Sequence, residues 1–154
     1  MKSACDIAVR DYEQADTAAL LDLMQSLAQF EGYIDEFAVT KAELIEHGLG
    51  PDALFHAFVA EKHGTLVGMA VTYIVPWTYT LRPRLVLKEL YVAEQARGTG
   101  TGRALMAKVL DRAVALDADT VAWTVMDGNT AAEYFYRSLG GRPDQKWNNW
   151  KLCV

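Results

Sequence analysis

The chain contains little cysteine. Its two cysteines, Cys5 and Cys153, lie near opposite ends of the 154 residues, and neither belongs to a Cys-x-x-Cys pair or a cluster with histidine. This spacing argues against a disulfide framework and supplies no ligand set for a metal. No neighbouring histidine is present to activate either thiol as a nucleophile. We therefore expect two reduced thiols and no metal site.

The chain also lacks a long hydrophobic run. Its longest apolar stretch, residues 66–77, contains Gly68, Thr72 and Pro76, and it is shorter than the roughly 18 residues that a membrane span requires. Residues 1–6 lack the apolar core of a signal peptide. We therefore expect a cytoplasmic protein without a membrane partner.

Positive charge is scarce relative to negative charge. The 15 lysines and arginines are outnumbered by 20 aspartates and glutamates, which gives a formal net charge of −5. Nucleic-acid binding usually needs a basic stripe, so this balance argues against a nucleic-acid partner and is compatible with a cationic substrate. The length and the 51% hydrophobic content are typical of one soluble domain, which we expect to cover residues 1–154.

Hydrophobic periodicity in the first half of the chain predicts one strand, two helices and then three strands. The first strand is expected at 6–10, and Asp16 is placed to cap a helix that ends near residue 31. Thr40 and Glu43 form a capping-box pattern for a second, short helix. The three strands are expected at 55–62, 66–75 and 85–92, the first two joined by a His63-Gly64 turn.

The second half predicts helix, strand, helix and strand. Thr130 and Glu133 form another capping-box pattern, for a helix that ends at Leu139, and strands are expected at 121–125 and 146–154. The whole order predicts an α/β fold with a mixed sheet and helices on both of its faces. The long amphipathic helix at 102–116 should bury Leu105, Val109, Leu110 and Ala113.

A glycine-rich loop lies between a predicted strand and this long helix. Gly98, Gly100 and Gly102 alternate along it, and Arg97 and Arg103 flank them. Without side chains in the way, several backbone N–H groups can face one point beside the positive end of the helix dipole. The loop therefore predicts a phosphate-binding site, with an ordinary flexible loop and helix cap as the alternative.

Two familiar phosphate loops fit poorly. A P-loop ends in Gly-Lys-Ser/Thr, whereas Gly102 is followed by Arg103-Ala104. A dinucleotide-binding loop joins its strand directly, whereas residues 93–96 separate this loop from Val92. Asp127, after the next predicted strand, is the one feature that supports a nucleotide.

The wider pattern resembles the GNAT family of acetyltransferases. Leu90-Tyr91-Val92 is followed, four residues later, by Arg97-x-x-Gly100-x-Gly102 and then by a helix. The chain is similar to the diamine (spermidine/spermine) and thialysine N-acetyltransferase branch of that family over residues 8–152. Its similar segments are 27–31, 55–61, Pro76-Trp77, Asn129 and 135–140.

The resemblance implies a GNAT fold, a homodimer and acetyl-CoA as the acetyl donor. In that fold a mostly antiparallel sheet contains a splayed pair of strands, and one of them offers its backbone to the pantetheine arm. The resemblance implies that Asn129 hydrogen-bonds near the pantetheine, and a simple helix cap is its alternative role. The implied cofactor residues are Leu90, Tyr91, Val92, Arg97, Gly98, Thr99, Gly100, Thr101, Gly102, Arg103, Asn129, Ala132 and Tyr136.

Acetyl transfer to an amine needs a base for the ammonium and an acid for the departing thiolate. The resemblance implies Glu89 as the base, acting through water, and Tyr136 as the acid. Glu89 alternates with Leu87 and Tyr91, so we expect it to share their face of the sheet. The alternative for Tyr136 is core packing, because it shares a helical face with Ala132, Phe135 and Leu139.

The acceptor pocket departs from the branch. Lys88 and Asn148-Asn149 stand where the branch has acids. We therefore expect a small primary amine, or an amino acid whose carboxylate meets Lys88, rather than a long polyamine. For each tryptophan, core packing explains its presence equally well. The implied substrate residues are Phe30, Glu31, Trp77, Lys88, Glu89, Trp123 and Trp150.

Three functions follow from this sequence. The first is an enzyme that transfers acetyl directly to a small amine in a ternary complex. The second is an acyl-CoA-binding or regulatory module without turnover, which Lys88 favours because a cation opposes an ammonium. The third is a protein N-acetyltransferase, which would share the cofactor site and differ in its acceptor groove.

Overall fold

The computed structural model describes residues 6–154, so the prediction for Cys5 lies outside the described residues. These residues divide into two compact units, one that runs to Trp123 and one that comprises Thr124–Val154. The assignment of residues 1–154 to one domain stays a prediction. None of the helices described is long and apolar enough to cross a membrane. In chain order the elements are β1 Ile7–Asp11, α1 Thr17–Glu31, α2 Lys41–Gly48, β2 His56–Lys62, β3 Thr65–Val75, β4 Arg84–Val92, α3 Thr101–Ala115, β5 Thr120–Ala122 and α4 Thr130–Ser138.

The five strands form one mixed sheet in the order β1-β2-β3-β4-β5. Neighbours from β1 to β4 are antiparallel, and β4 and β5 are parallel. The β2–β3 hairpin turns at His63 and Gly64, whose φ angles of 51° and 77° match the type I′ turn that fits the twist of paired strands. The predicted α/β fold with a mixed sheet is confirmed.

Helices α1 and α2 pack on one face of the sheet. Their apolar stripes meet the inward side chains of β2 and β3 in a core that contains Leu20, Leu23, Met24, Leu27, Leu44, Ala57, Val59, Met69 and Val71. Successive strand residues point to opposite faces, so Gly68 faces away from this core. A Cβ on Gly68 would lie 3.1 Å from Leu105 of α3. Helix α3 therefore covers the other face, as the element order predicted.

A charged network joins β1 to the start of α1. The Arg10 guanidinium donates to both oxygens of Asp16, at 2.7 and 2.9 Å, and to Glu61 at 2.9 Å. Asp16 stands at the N-cap position, but its carboxylate accepts from the Glu13 backbone N–H and from Arg10 instead of capping α1. The predicted capping role of Asp16 is therefore wrong, because the guanidinium already holds this carboxylate. The Thr40–Glu43 capping box, in contrast, is confirmed at the start of α2.

Other predicted details differ from the structure. Leu110 is 47% exposed, whereas Leu105, Val109 and Ala113 of the same helix are buried. The side chain of Leu110 points away from the sheet. Asn129, and not Thr130, is the N-cap of α4, and its Oδ1 accepts from the N–H of Ala132. Asparagine is a preferred N-cap residue, and here it takes the position that the prediction gave to Thr130. The Thr130–Glu133 capping box is therefore not formed.

The last two predicted strands also differ from the structure. Strand β5 covers Thr120–Ala122 instead of 121–125, and residues 146–154 form no strand. A strand needs a neighbour that accepts its backbone hydrogen bonds. Asn148-Asn149 interrupts the apolar pattern of this tail, whose Trp147 and Trp150 are 73% and 94% exposed.

The network around Asp16 yields a stability prediction. The pKa of Asp16 is lowered, mainly by its hydrogen bonds from Arg10. We expect Asp16→Ala to lower the free energy of unfolding by about 2 kcal/mol at pH 7, since a partly buried, charge-assisted bidentate contact is lost. A lowered pKa stabilises the fold above the ordinary aspartate value of about 3.9 and loses this effect as the pH falls through the folded-state value.

Urea unfolding from pH 3 to pH 7 measures this effect. Asp22→Ala is the matched control, because Asp22 is exposed on α1 and surface changes usually stay within about 0.5 kcal/mol. An equal loss in both variants, or a loss that persists unchanged at pH 3, would contradict the assignment.

Candidate active site

Strand β4 is paired along its full length on one side only. On its β3 side the register runs from Arg84, opposite Val75, to Val92, opposite Gly68. On its other side β5 pairs only with Arg84, Leu85 and Val86. Within the unit that ends at Trp123, no strand therefore pairs with Leu87 to Tyr91 on that edge. An edge of this kind can accept an extended chain through backbone hydrogen bonds.

A β-bulge at Lys88 changes the direction of the side chains on β4. Leu87 pairs with Thr72 and Glu89 pairs with Val71, so two residues of β4 span one step of β3. Because Thr72 and Val71 point to opposite faces, Leu87 faces α3 while Glu89 faces α1. The prediction that Glu89 shares the face of Leu87 is therefore wrong. Strict alternation does not hold across the bulge, although Glu89 and Tyr91 do share a face.

The Glu89 carboxylate is poorly solvated. Its Oε2 is buried and has no hydrogen-bond partner among residues 6–154. Burial raises the pKa of Glu89, the charge of Glu31 raises it further, and the neighbouring Lys88 opposes both. A carboxyl with a raised pKa accepts and releases protons closer to neutral pH, which is the property that a general base requires.

The last turn of α1 lies beside the same part of β4. The Arg97 guanidinium is 5.9 Å from the Phe30 ring and 5.8 Å from the Tyr91 ring, so one cation lies near both elements. Phe30 is 56% exposed and Glu31, which follows it, is also exposed. The structure therefore brings Phe30, Glu31 and Glu89, three of the predicted substrate residues, into one neighbourhood.

Tyr33 belongs to this neighbourhood and was not predicted from the sequence. Gly32 is the C-cap of α1 and adopts the left-handed conformation with φ 80°, and the N–H of Tyr33 donates to the carbonyl of Ala28. The pKa of Tyr33 is raised to about 12 by burial and by the charges of Glu89 and Glu31. Sequence offers one signal for it, a glycine C-cap followed directly by an aromatic residue.

The glycine loop has the geometry of a fixed backbone turn. A short 3₁₀ turn, Glu94–Ala96, follows β4, and Gly98 and Gly100 adopt φ angles of 73° and 89°. Thr99 donates to the carbonyl of Ala96 at 2.6 Å. Gly100 is the N-cap of α3, so the loop meets the positive end of that helix, as predicted.

The other predicted loop residues surround this turn. Arg97 donates through Nε to the carbonyl of Val92 at 3.0 Å. Thr101 and Gly102 open α3, and Thr101 is buried with its hydroxyl 2.8 Å from that of Thr99. Arg103 is exposed in the first turn of the helix. Two arginines and the N-terminus of α3 therefore lie at the loop, which suits an anionic group.

Trp77 contacts a cation of the chain itself. The Arg84 guanidinium carbon lies 3.8 Å from the centre of the Trp77 ring, and Tyr79 meets the ring edge-on at 5.3 Å. Trp77 Nε1 and Arg84 Nε are both buried, and neither has a partner in the described part of the chain. The predicted contact of Trp77 with substrate therefore has to compete with a guanidinium that already covers the ring.

Trp123 is half-buried directly after β5, and Lys88 is exposed at the bulge.

The remaining predicted residues belong to the unit Thr124–Val154. Asn129 caps α4 through Ala132, and Tyr136 is half-buried on the same helix with its ring 5.3 Å from that of Phe135. Trp150 is almost fully exposed. The helix-cap role of Asn129 is thus observed, and cofactor and catalytic roles in this unit stay predictions.

The chain matches known proteins along most of its length. Residues 17–140 match the model of the Acetyltransferase (GNAT) family. The thialysine N-epsilon-acetyltransferase of Sus scrofa is 26% identical over 152 residues, which cover 94% of this chain and 89% of that protein. The L-ornithine N5-acetyltransferase of Arabidopsis thaliana is 33% identical over 67 residues, 44% of this chain and 28% of that protein.

Solved structures share the fold. An aminoglycoside acetyltransferase from an uncultured soil metagenomic sample superposes with a TM-score of 0.80 at 17% identity, covering 97% of both chains. The ribosomal-protein-alanine N-acetyltransferase of Brucella melitensis superposes with a TM-score of 0.74 at 19% identity, covering 96% of this chain and 99% of that one.

The raised pKa of Glu89 yields a prediction for stability. An acid whose pKa is raised on folding makes the wild type lose stability as the pH rises from the unfolded-state value, about 4.3, to the folded-state value. Glutamine does not ionise. We therefore expect the unfolding free energy of Glu89→Gln, minus that of wild type, to increase with pH across this window and then to level off.

Two further variants test the cause of the shift. Glu31→Gln removes a charge that raises the pKa, so it should move the window to lower pH, and Lys88→Met should move it to higher pH. Denaturant titrations at half-unit pH intervals measure all three. A difference between Glu89→Gln and wild type that falls with pH would show that burial does not raise this pKa.

Proposed function

Because the chain belongs to the GNAT acetyltransferase family and is therefore an N-acetyltransferase, we propose that it transfers acetyl from acetyl-CoA to the primary amine of a small molecule. One observation carries this proposal. The poorly solvated Glu89 carboxylate lies on the strand whose open edge leads into the glycine loop. A proton acceptor and a place for an extended thioester donor therefore share one strand.

The residues present fit acetyl-CoA. The edge of β4 from Leu87 to Tyr91, which no strand pairs, can hydrogen-bond the amide groups of the pantetheine arm. The loop around Gly98 and Gly100 presents backbone N–H groups at the start of α3, where the pyrophosphate would bind. When bound, acetyl-CoA supplies the acetyl group as a thioester.

Glu89 then serves as the general base. An alkylammonium with a pKa near 10.4 is neutral in only about one molecule in a few thousand at pH 7, so a proton has to be removed before attack. Glu89 accepts that proton, directly or through water, and its raised pKa keeps it a competent acceptor near neutral pH. Tyr136 on α4 is the proposed general acid for the departing thiolate.

The charges around Glu89 favour a short acceptor. Arg84 and Glu89 lie on the same face of β4, and their partners on β3 are four residues apart, which corresponds to about 13 Å. A guanidinium at that distance repels the second ammonium of a long polyamine. It is compatible with an amino acid, whose end opposite to the side-chain amine carries a carboxylate beside the α-ammonium.

The names of the relatives agree with this preference. Thialysine and L-ornithine, the substrates named for two of them, are amino acids with a side-chain amine. The named relatives are enzymes, so a binding module without turnover is not retained. A protein acceptor is kept as an outcome of the test below. A homodimer in the cytoplasm belongs to the same proposal.

An acceptor panel tests the reaction and its specificity. With acetyl-CoA as donor, we expect thiol release with L-ornithine and thialysine at a kcat/KM at least tenfold above that with spermidine or spermine. Arg84→Met removes the cation from Trp77 and should raise the ratio of spermidine to ornithine activity by about fivefold, as expected for the loss of roughly 1 kcal/mol of repulsion.

Arg82→Met is the matched control, since Arg82 is exposed and pairs with Asp117. Turnover with an acceptor peptide and none with the amines would replace the small-molecule proposal by protein acetylation. An unchanged activity ratio in Arg84→Met would show that Arg84 does not set specificity.

A conservative change tests the proposed acid. Tyr136→Phe removes only the hydroxyl, so we expect kcat to fall about 100-fold while the Kd for CoA is unchanged, because general acid catalysis contributes on the order of 10²–10⁴. Tyr134→Phe on the same helix is the control, because its side chain is 80% exposed. Steady-state kinetics and calorimetry provide the two readouts, and a wild-type kcat in Tyr136→Phe would reject the assignment.

A further inference from the structure

We infer that Arg84, held over the ring of Trp77, binds the α-carboxylate of an amino-acid acceptor whose side-chain amine lies at Glu89. The inference rests on the proposed function and names the contact by which the site selects an amino acid. Sequence considerations point to Lys88 for this contact, and the structure favours Arg84 instead.

The backbone of Arg84 is fixed by strands on both sides. Arg84 opens β4, where it lies opposite Val75 of β3 and opposite Thr120 of β5. Its side chain therefore starts from a rigid part of the sheet. A residue on a paired strand holds a ligand more precisely than a residue on a loop.

Trp77 holds the guanidinium from the loop between β3 and β4. The guanidinium carbon of Arg84 lies 3.8 Å from the centre of the Trp77 ring, a cation–π contact. The Trp77 carbonyl accepts from the N–H of Leu81 at 2.9 Å, and Thr80 of the same loop donates to Asp119 at 3.1 Å. The loop is thus tied down, and the ring restricts the positions of the guanidinium.

The Arg84 guanidinium has no anionic partner of its own within residues 6–154. Its Nε is buried without a hydrogen-bond acceptor, and its terminal nitrogens form no hydrogen bond or ion pair in that range. The pKa of Asp119 is lowered mainly by its hydrogen bond from Thr120, and Arg84 contributes only a smaller part. Because few buried donors stay unpaired in native proteins, a guanidinium in this state suits an anion from outside the chain.

The terminal nitrogens of Arg84 are within reach of such an anion. Arg84 is half-buried, and only its Nε is both buried and without a partner. A guanidinium binds a carboxylate through two parallel N–H···O hydrogen bonds, one to each oxygen. The terminal nitrogens can make this pair of bonds while the ring of Trp77 covers the guanidinium.

The distance from Arg84 to Glu89 matches the length of a short amino acid. Both residues lie on the same face of β4, about 13 Å apart, and side chains on one face stand roughly perpendicular to the sheet. In extended L-ornithine the side-chain nitrogen lies about 7 Å from the carboxylate oxygens. With a hydrogen bond of about 2.8 Å at each end, the ligand spans about 13 Å.

This contact distinguishes a carboxylate from an amide. A carboxylate offers an acceptor oxygen to each N–H of the guanidinium. A carboxamide offers one oxygen, and its NH₂ group opposes the second N–H. An acceptor that carries an amide in place of the carboxylate should therefore bind more weakly.

L-Ornithine and L-ornithinamide test the inference, because they differ only at this group. For the wild type we expect kcat/KM to be at least tenfold higher for L-ornithine. The difference should lie mainly in KM, because the contact is made in both the ground state and the transition state. A ratio near one would overturn the inference.

The variant Arg84→Lys isolates the geometry of the contact. Lysine keeps the positive charge but lacks the planar pair of N–H groups. We expect the ratio to fall to about threefold or less through loss of L-ornithine activity, with L-ornithinamide activity within about twofold of wild type. Arg82→Lys is the matched control, since Arg82 is exposed and pairs with Asp117. A fall of the ratio in Lys88→Met, without one in Arg84→Lys, would assign the carboxylate to Lys88 and overturn the inference.

Trp77 is a positioning residue in this arrangement. Trp77→Ala removes the ring beside the guanidinium, so the KM for L-ornithine should rise about fivefold while kcat stays within about twofold. Trp77→Phe keeps a ring and should restore most of the loss. Melting temperatures check the folding of both variants, and if Trp77→Ala does not fold, Arg84→Lys decides.

The outcomes separate the two proposals. No thiol release by the wild type with any amine would refute the proposed function. Turnover of L-ornithine by the wild type, combined with an unchanged ratio in Arg84→Lys, would refute the role of Arg84 and leave the proposed function intact.

Discussion

The β-bulge at Lys88 is the feature on which the arrangement of the candidate site depends. One extra residue in β4 lets Leu87 face α3 and stay buried there, while Glu89 faces α1. Without it, strict alternation would direct Glu89 and Leu87 to the same side of the sheet. The bulge therefore allows one strand to serve the apolar core on one face and to offer a carboxylate on the other.

That carboxylate is costly for the fold. An ionised oxygen that is buried without a hydrogen-bond partner destabilises the folded state, and the nearby charge of Glu31 adds to this effect. Local conflicts of this kind are expected where function requires them, because the rest of the fold is stable enough to tolerate them. The same conflict raises the pKa of Glu89, the property on which its proposed role as general base rests.

The proposed donor and acceptor parts of the site are built differently. The donor part consists of backbone: an unpaired strand edge, glycines with positive φ and a helix N-terminus. Backbone requirements of this kind can be recognised in the sequence, because only glycine adopts φ near +89° at little cost. The acceptor part consists of side chains from separate elements, such as Arg84 on Trp77, and no local sequence pattern specifies which of them meet.

The sequence by itself determined the order of the helices and strands from β1 to α4, the Thr40–Glu43 cap, the His63-Gly64 turn and the position of the glycine loop, because each depends on neighbouring residues and their periodicity. Only the tertiary structure decided the facing of Glu89, the exposure of Leu110, the absence of a strand at 146–154 and the place of Tyr33. The physical reason is the separation along the sequence of the groups that interact. Burial, strand pairing and the pKa of a carboxyl depend on groups that are distant in sequence, and a bulge forms in response to the partner strand.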